Sequence, residues 1–175
     1  MFRKRIPAFI LFGVAIFLIV ADRITKWLVE EKLALGHSVR AVHIGDFEII
    51  NFTHIRNSGA AFGILSGKQT FLIIVTSIFL AFALVVLFSG KYKSKFVLTA
   101  IALIFAGGVG NLIDRVSYNY VVDFIEFGFV SFAVFNVADV CAVVGAFMLF
   151  IAVISEEIRD YKARKACGDL EDSKE

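Results

Sequence analysis

The sequence contains few of the residues that mark several common classes of protein. Its 175 residues include only two cysteines, three histidines and one proline. Cys141 lies in an apolar run and Cys167 in a charged segment near the C-terminus, so no disulfide is expected between them and a disulfide scaffold is excluded. The single proline, Pro7, opens an apolar stretch, where an α-helix tolerates it.

Charged residues are also scarce. They make up 19% of the chain, the formal net charge is +2, and no basic patch with interleaved aromatic residues is present. No nucleic-acid partner is therefore expected. His37, His43 and His54 all lie in one segment, with the spacing of strand positions and without a histidine pair beside the acids. A metal site is thus an alternative that the sequence disfavours, and no cofactor is expected.

Hydrophobic residues dominate what is present. They form 59% of the chain, phenylalanine alone occurs 20 times, and the mean hydropathy of +0.82 is typical of an integral membrane protein. Four apolar stretches are each near the roughly 20 residues that a helix needs to span the hydrocarbon. They cover residues 6–28, 71–88, 96–113 and 135–154. We therefore predict an all-α membrane protein with one domain, residues 1–175, built as a four-transmembrane-helix bundle.

The basic residues indicate how the four predicted helices are oriented. Basic clusters precede helix 1, fill the turn between helices 2 and 3, and follow helix 4. By the positive-inside rule both termini are cytoplasmic, loops 29–70 and 114–134 lie outside, and residues 155–175 form a cytoplasmic tail. The first stretch also has the basic start of a signal peptide. No small-residue cleavage site follows it, so we expect it to be retained as a helix.

The first outer loop predicts a small extracytoplasmic β-sheet. Two-residue spacing of side chains runs through residues 39–43 and again through residues 47–51, with a turn at Gly45-Asp46 between them. The expected fold is thus a helical bundle that carries this sheet in the loop between helix 1 and helix 2.

Two acids, Asp123 and Asp139, interrupt the apolar sequence that follows Phe96. An ionisable side chain in lipid is costly unless it is paired or faces a polar cavity. Two neighbouring carboxyl groups share a proton, so that one can act as an acid and the other as a base, as in an aspartic hydrolase. Spacing alone leaves open a second interpretation, in which the two are separate structural acids and one pairs with Arg115 or Arg23.

Polar residues of three predicted helices lie at a common depth. A rise of about 1.5 Å per residue places Asp22, Asn111, Asp114 and Asp139 roughly 22–27 Å from the cytoplasmic ends of their helices, just inside the outer face of the hydrocarbon. Spacings of three and four residues put the polar residues of each helix on one face. These faces comprise Asp22, Thr25 and Lys26, then Asn111, Asp114 and Arg115, and finally Asn136 and Asp139. The three faces can converge in the bundle and form one site.

A glycine-rich run, residues 107–110, precedes Asn111. Small residues of this kind let helices approach closely, which is the role that we predict for them. A phosphate-binding loop is not indicated, because no strand precedes the run and no Lys-Ser/Thr pair follows it.

The order of these motifs resembles that of a known family, the bacterial lipoprotein signal peptidases, also called signal peptidase II. The resemblance covers residues 6–154 and rests on five blocks in the same order with four predicted spans. The blocks are residues 22–26 (DRITK), 57–62 (NSGAAF), 107–115 (GGVGNLIDR), 122–124 (VDF) and 135–139 (FNVAD).

This resemblance implies a membrane aspartic endopeptidase of the bacterial cytoplasmic (inner) membrane, with its active site near the outer face. Family members remove signal peptides from prolipoproteins by cutting before a diacylglyceryl-modified cysteine, and globomycin occupies their substrate site. We expect a monomer in membrane lipid. By motif position, Asp123 and Asp139 match the catalytic dyad. The positions that match substrate-binding or supporting residues are Asp22, Lys26, Asn57, Gly108, Asn111, Asp114, Arg115 and Asn136.

A small proton-coupled transporter or channel is the alternative from another class, since acids within the membrane also mark proton pathways. Such a pathway would need polar residues in the cytoplasmic halves of the helices. Residues 71–88 offer only Thr76 and Ser77, which favours the peptidase.

Overall fold

The computed structural model of the chain describes residues 8–60, 64–92 and 94–172. Within these residues the helices are α1 (Ala8–Lys32), α2 (Gln69–Phe88), α3 (Lys95–Tyr118) and α4 (Val137–Asp172). The strands are β1 (Ser38–Ile44), β2 (Phe47–Asn57) and β3 (Val121–Phe127). The predicted start of helix 1 at Ile6, the basic residues 3–5, Lys93 and the end of the 57–62 block lie outside the described residues.

Three of the described helices are long and apolar enough to cross a membrane. They are α2, α3 and the first part of α4, Val137–Arg159. Large apolar side chains on their surfaces, such as Phe82 and Val143, are exposed, as expected of helices that face hydrocarbon. α1 is equally long but carries Asp22, Arg23 and Lys26, and its role as a fourth span stays a prediction.

α3 occupies the middle of the bundle, because it contacts each of the other three helices. Its glycines make these contacts close. A Cβ atom at Gly110 would lie 2.9 Å from the Cβ of Ala138 in α4, and one at Gly108 would lie 2.7 Å from Leu80 Cδ2 in α2. The predicted packing role of the glycine run is confirmed. The apolar core around α3 includes Leu11, Ala15, Leu80, Leu87, Ile101 and Phe105.

The sheet has the order β1-β2-β3, with both neighbours antiparallel to β2. The predicted hairpin is confirmed, and Gly45 at its turn has a φ of +58°. The prediction was wrong in confining the sheet to the loop between the first two helices, because β3 follows α3. Residues 121–127 are mostly β-branched and aromatic, and the 11-residue β2 offers them an edge. Asp123 therefore lies on a strand, opposite Ile55.

Three helices end later than the hydropathy predicted, and the first of them, α1, continues past residue 28 to Lys32. α3 continues past residue 113 to Tyr118 and ends at Asn119, which has a left-handed conformation with a φ of 62°. α4 begins at Val137 and continues through the predicted tail to Asp172. The segment after residue 154 is rich in Glu, Lys, Arg and Ala, which favour a helix in water as well as in lipid. Hydropathy locates the apolar part of a helix but not its end.

Candidate active site

A cavity of about 500 Å³ lies among α3, β3 and α4, and both Asp123 and Asp139 line it. The other polar residues in its wall are Asn57, Asn111 and Arg115. Most of the remaining wall is apolar and includes Val121, Phe127, Phe132, Val134, Phe135, Val140, Val143 and Val144. The two acids singled out from the sequence thus share one largely apolar cavity.

Asn136 holds both acids in place. Its side-chain Oδ1 accepts a hydrogen bond from the backbone N–H of Asp139 at 2.9 Å, and its own backbone N–H donates to Asp139 Oδ2 at 3.1 Å. This reciprocal pair is a capping box, which satisfies two backbone donors at the start of α4. The amide Nδ2 of Asn136 also donates to Asp123 Oδ1 at 2.7 Å. One residue therefore fixes the distance between two carboxyl groups from different elements.

Two further amides complete the hydrogen bonds to the acids. Asn57, at the end of β2, donates through Nδ2 to Asp123 Oδ2 at 2.9 Å. Asn111, on α3, donates through Nδ2 to Asp139 Oδ1 at 2.7 Å. Each of the four carboxyl oxygens thus accepts one hydrogen bond and keeps a lone pair for water or substrate.

Asp123 is strongly affected by its surroundings, since its side chain is only 2% exposed. Burial, followed by the negative charge of Asp139, raises the pKa of Asp123 to about 6. The hydrogen bonds from Asn57 and Asn136 act in the opposite direction but are outweighed. Asp123 therefore retains its proton in weakly acidic solution, where a carboxyl group in water would be ionised.

A buried group of charges lies beside the acids. Lys26 on α1 is fully buried, and its Nζ lies 2.9 Å from Asp22 Oδ2 and 2.8 Å from Asp114 Oδ2. Arg23 pairs with the other oxygen of Asp114. The four side chains carry two positive and two negative formal charges, so the group is balanced. A buried charge of this kind is tolerated only when it is paired and hydrogen-bonded.

This charge group is connected to each segment that carries an acid. Asp22 Oδ1 accepts from the backbone N–H of Ala138 at 2.9 Å, in the first turn of α4. Asp114 Oδ2 accepts from the N–H of Val122 at 3.3 Å, next to Asp123. Lys26 donates to Asn111 Oδ1 at 3.0 Å. An ammonium group can only donate, so it turns the amide oxygen of Asn111 toward itself and the amide nitrogen toward Asp139.

The two remaining predicted site residues are Arg115 and Gly108, which make different contacts. Arg115 lines the cavity and donates to the backbone oxygen of Gly59 at 3.0 Å, which ties the loop after β2 to α3. Gly108 faces Leu80 of α2 and does not line the cavity. The glycines that approach α4 are Gly107 and Gly110, three residues apart on one helical face.

The position of Arg23 bears on one alternative that the sequence left open, the pairing of an acid with Arg115 or Arg23. Arg23 was not among the predicted site residues, and it pairs with Asp114 and not with Asp139. The sequence spacing did not place Arg23 on the polar face of helix 1, because Arg23 directly follows Asp22 and adjacent residues of a helix point in different directions. Across the described parts of the chain, no group of three His, Cys, Asp or Glu side chains could hold a metal ion.

Comparison with known proteins gives a consistent result. The family model described as signal peptidase (SPase) II matches residues 14–155. A protein named lipoprotein signal peptidase from Clostridium tetani is 40% identical over 150 residues, which cover 84% of this chain and 92% of that protein. One of the same name from a Staphylococcus aureus strain, bovine RF122 / ET3-1, is 37% identical over 146 residues, covering 82% of this chain and 86% of that protein.

Solved structures agree with the sequence comparisons. A bacterial membrane enzyme determined by the in meso method at 2.3 Å resolution has a TM-score of 0.81 and 34% identity, and the match covers 90% of this chain and 94% of that one. A second, determined by the same method at 1.9 Å, has a TM-score of 0.76 and 35% identity, with coverage of 87% and 97%. The resemblance inferred from the five sequence blocks is confirmed: this multi-pass membrane protein belongs to the signal peptidase II family of proteases.

Proposed function

We propose that the chain is a membrane aspartic endopeptidase that removes signal peptides from prolipoproteins by cleaving before the diacylglyceryl-modified cysteine. The observation that carries this proposal is the pair of carboxyl groups, Asp123 and Asp139, held by Asn136 in one cavity among apolar helices. Membership of the signal peptidase II family supports the reaction, and the name shared by the relatives supports lipoprotein precursors as substrates.

The surroundings of the two acids favour different roles for them. Asp139 lies in the first turn of α4, where backbone N–H groups and the helix dipole favour a negative charge. We assign it the role of the base that takes a proton from water as the water attacks the scissile carbonyl. Asp123, with its raised pKa, donates a proton to the carbonyl oxygen. The tetrahedral intermediate then collapses as Asp139 gives its proton to the leaving nitrogen and Asp123 recovers one from the diol.

The remaining candidate residues would position the acids and the peptide. Asn57, Asn111 and Asn136 hold the carboxyl oxygens, as their hydrogen bonds indicate. Asp22, Lys26 and Asp114 form the buried charge group that holds the segments carrying the acids, whereas Gly108 allows α2 and α3 to pack closely. Arg115 lines the cavity, and its buried Nε has no hydrogen-bond partner among the described residues, so we assign it a contact with a substrate backbone carbonyl.

The lipid on the substrate would supply much of the specificity. Val140, Val143 and Val144 of α4 line the cavity and are also exposed or half-exposed along a membrane-spanning helix. Acyl chains that stay in the bilayer can therefore lie beside the cavity while the peptide enters it. Each buried CH2 group contributes about 0.8 kcal/mol, so two acyl chains both concentrate and orient the substrate.

The topology and partners of the protein follow from the same proposal. Both termini would be cytoplasmic, α1 would be the fourth span, and the cavity would lie near the outer face of the bacterial inner membrane. Globomycin-type inhibitors would occupy the cavity. A monomer contains all the residues that the proposed mechanism uses.

A precursor peptide without the diacylglyceryl group is expected to be a far poorer substrate than the same peptide with it. The unlipidated cysteine loses both the burial of its acyl chains and the orientation that they give. Cleavage of matched peptides should be measured by mass spectrometry in one nanodisc preparation, with a cysteine-to-serine peptide as the control that cannot carry the thioether-linked lipid. Equal rates for the lipidated and unlipidated peptides would show that the acyl chains do not confer the specificity.

The pH dependence of kcat/KM is expected to be bell-shaped, with a fall on the alkaline side that begins near pH 6. Below about pH 6 Asp123 holds its proton, and above it the proposed acid is lost, so the rate decreases as the pH rises. The acid side reflects protonation of the base. Glu126→Gln, which alters another acid on β3, should leave the alkaline side unchanged. A rate that keeps rising through neutral pH would contradict the assignment of Asp123 as the acid.

A further inference from the structure

The β1-β2-β3 sheet has one apolar and one polar face. Residues directly opposite one another on neighbouring strands share a face. The apolar sets are Val39–Phe52–Ile125, Val42–Ile50–Phe127 and Ile44–Phe47. The polar sets are Ser38–Thr53, Arg40–Asn51–Glu126 and His43–Glu48. We call the first of these faces the apolar sheet face.

The apolar sheet face is exposed along β1 and at the β1–β2 turn, whereas Ile50, Ile125 and Phe127 are partly buried. Ile44 is 73% exposed, Phe47 58% and Val39 49%. On the opposite face Arg40 and His43 are also exposed, and charged residues are joined there by an ion pair between Arg40 and Glu48 at 2.6 Å. A sheet with one face in water normally buries its apolar side against the protein. Here that side needs a covering that the chain does not supply in its described parts.

The segment after β3 extends the apolar sheet face. The N–H of Gly128 donates to Ile49 O at 3.2 Å, and any Cβ atom at this position would lie within 3.0 Å of the Glu48 backbone. The glycine thus lets the chain pass directly against β2. Phe129, which follows, is 55% exposed and stacks on Phe47 with the ring centroids 6.1 Å apart. The result is a fixed pair of exposed aromatic rings at one end of the face.

The position of β3 fixes the sheet at the membrane surface. α3 spans the membrane and ends at Tyr118, and β3 begins at Val121, so the linking residues can extend at most about 7 Å. At the other end, Phe135 pairs with Ile125 two residues before α4 begins. Both ends of β3 are therefore held next to membrane-spanning helices, and the sheet cannot move away from the bilayer.

The orientation of the apolar sheet face also favours lipid as its covering. Asp123, Ile125 and Phe127 alternate along β3 and so point to the same side. Asp123 and Phe127 line the cavity that α4 shares, so the apolar sheet face continues into the wall of that cavity and onto the lipid-facing side of α4. This continuity with the lipid-facing surface of the bundle favours lipid as the covering of the apolar sheet face.

We propose that the apolar sheet face, completed by Phe129, lies in the membrane interface, with the rings of Phe47 and Phe129 among the lipid chains nearest the headgroups. The polar face turns toward water. Aromatic side chains are favoured at this level of a bilayer. The proposal concerns how the sheet is placed in the membrane and does not depend on the proposed peptidase reaction.

Tryptophan fluorescence tests this placement, because Trp27 is the only tryptophan of the chain. In a Trp27→Phe background, single tryptophans are introduced as Phe47→Trp, as Phe129→Trp, or as His43→Trp on the polar face. Each protein is reconstituted in phosphatidylcholine vesicles whose acyl chains carry bromine near the headgroup end. The tryptophans that replace Phe47 and Phe129 should be quenched several-fold more than the one that replaces His43, and aqueous iodide should quench them in the reverse order.

Equal bromine quenching at positions 43 and 47 would overturn the proposal. So would a tryptophan at position 47 that is shielded from both quenchers, since that result would indicate a covering protein surface or a second copy of the chain. Measurement at several protein-to-lipid ratios distinguishes a covering protein surface from a second copy of the chain. Unfolding temperatures in detergent identify a variant that fails to fold. If Phe47→Trp fails, the quenching of the conservative Phe129→Trp variant tests the placement of the sheet independently. None of these readouts depends on cleavage activity.

Discussion

Asp123→Asn and Asp139→Asn are each expected to abolish cleavage of a lipidated precursor while leaving the protein folded. Asparagine keeps the size of the side chain but cannot ionise or transfer the proton that the proposed mechanism needs. General acid–base catalysis by one group contributes about 10²–10⁴-fold, so we expect each variant to lose about a hundredfold to ten-thousandfold in rate. The measurement is product formation by the purified variants in detergent, followed by mass spectrometry.

A matched control for this experiment is available in the β1–β2 turn. Asp46 is exposed there, and Asp46→Asn makes the same chemical change away from the cavity. It should leave the rate unchanged. Unfolding temperatures of all three variants show whether a loss of activity comes from a loss of structure. A folded Asp123→Asn or Asp139→Asn protein with a rate near that of the parent chain would contradict the assignment of these two residues as the catalytic pair.

Lys26→Met is expected to be among the most destabilising single changes in the bundle. The change keeps the length and apolar stem of the side chain but leaves Asp22 and Asp114 without their shared cation in a fully buried position. Removal of one partner from a buried ion pair costs about 3–5 kcal/mol. Asn111 also loses the donor that sets its amide orientation toward Asp139, so activity should fall in any molecules that remain folded.

The control for this change lies on the same helix. Lys32 is exposed at the end of α1, and Lys32→Met should alter the free energy of unfolding by no more than about 0.5 kcal/mol. The double variant Asp22→Asn with Lys26→Met should lose less free energy of unfolding than the two single variants lose in sum, because the two single changes remove the same ion pair. A Lys26→Met protein as stable as the parent chain would mean that the buried charges do not hold the helices together.

The sequence was sufficient for those features that depend on local pattern. Apolar length predicted the three spans found in α2, α3 and α4, and two-residue spacing with Gly45 predicted the first hairpin. Residues 121–127 were harder, because a short apolar run around an acid can be a strand or a loop, and its partner β2 lies about 70 positions earlier in the chain. The pairing of β3 was therefore not visible, although it determines where Asp123 lies.

Long-range contacts explain the other differences. Helical spacing put Asp22 and Lys26 on one face, but it could not show that Asp22 accepts from the N–H of Ala138, 116 positions away. Nor could it show that Asn136 and Asp139 form a capping box that also reaches Asp123. The different contacts of Gly108 could have been predicted from helical spacing. Gly107 and Gly110 lie three residues apart and share a face of α3, whereas Gly108 lies on another face.

The most direct test of the proposed peptidase activity is whether the purified wild-type chain cuts a diacylglyceryl-modified precursor peptide in detergent with EDTA present and no ion gradient. The proposed reaction yields two products, a signal peptide with a free carboxylate and a peptide that begins with the lipidated cysteine, both identified by mass spectrometry. An intact precursor under these conditions, together with gradient-driven proton uptake by the same protein in vesicles, would contradict the peptidase and support a proton-coupled transporter.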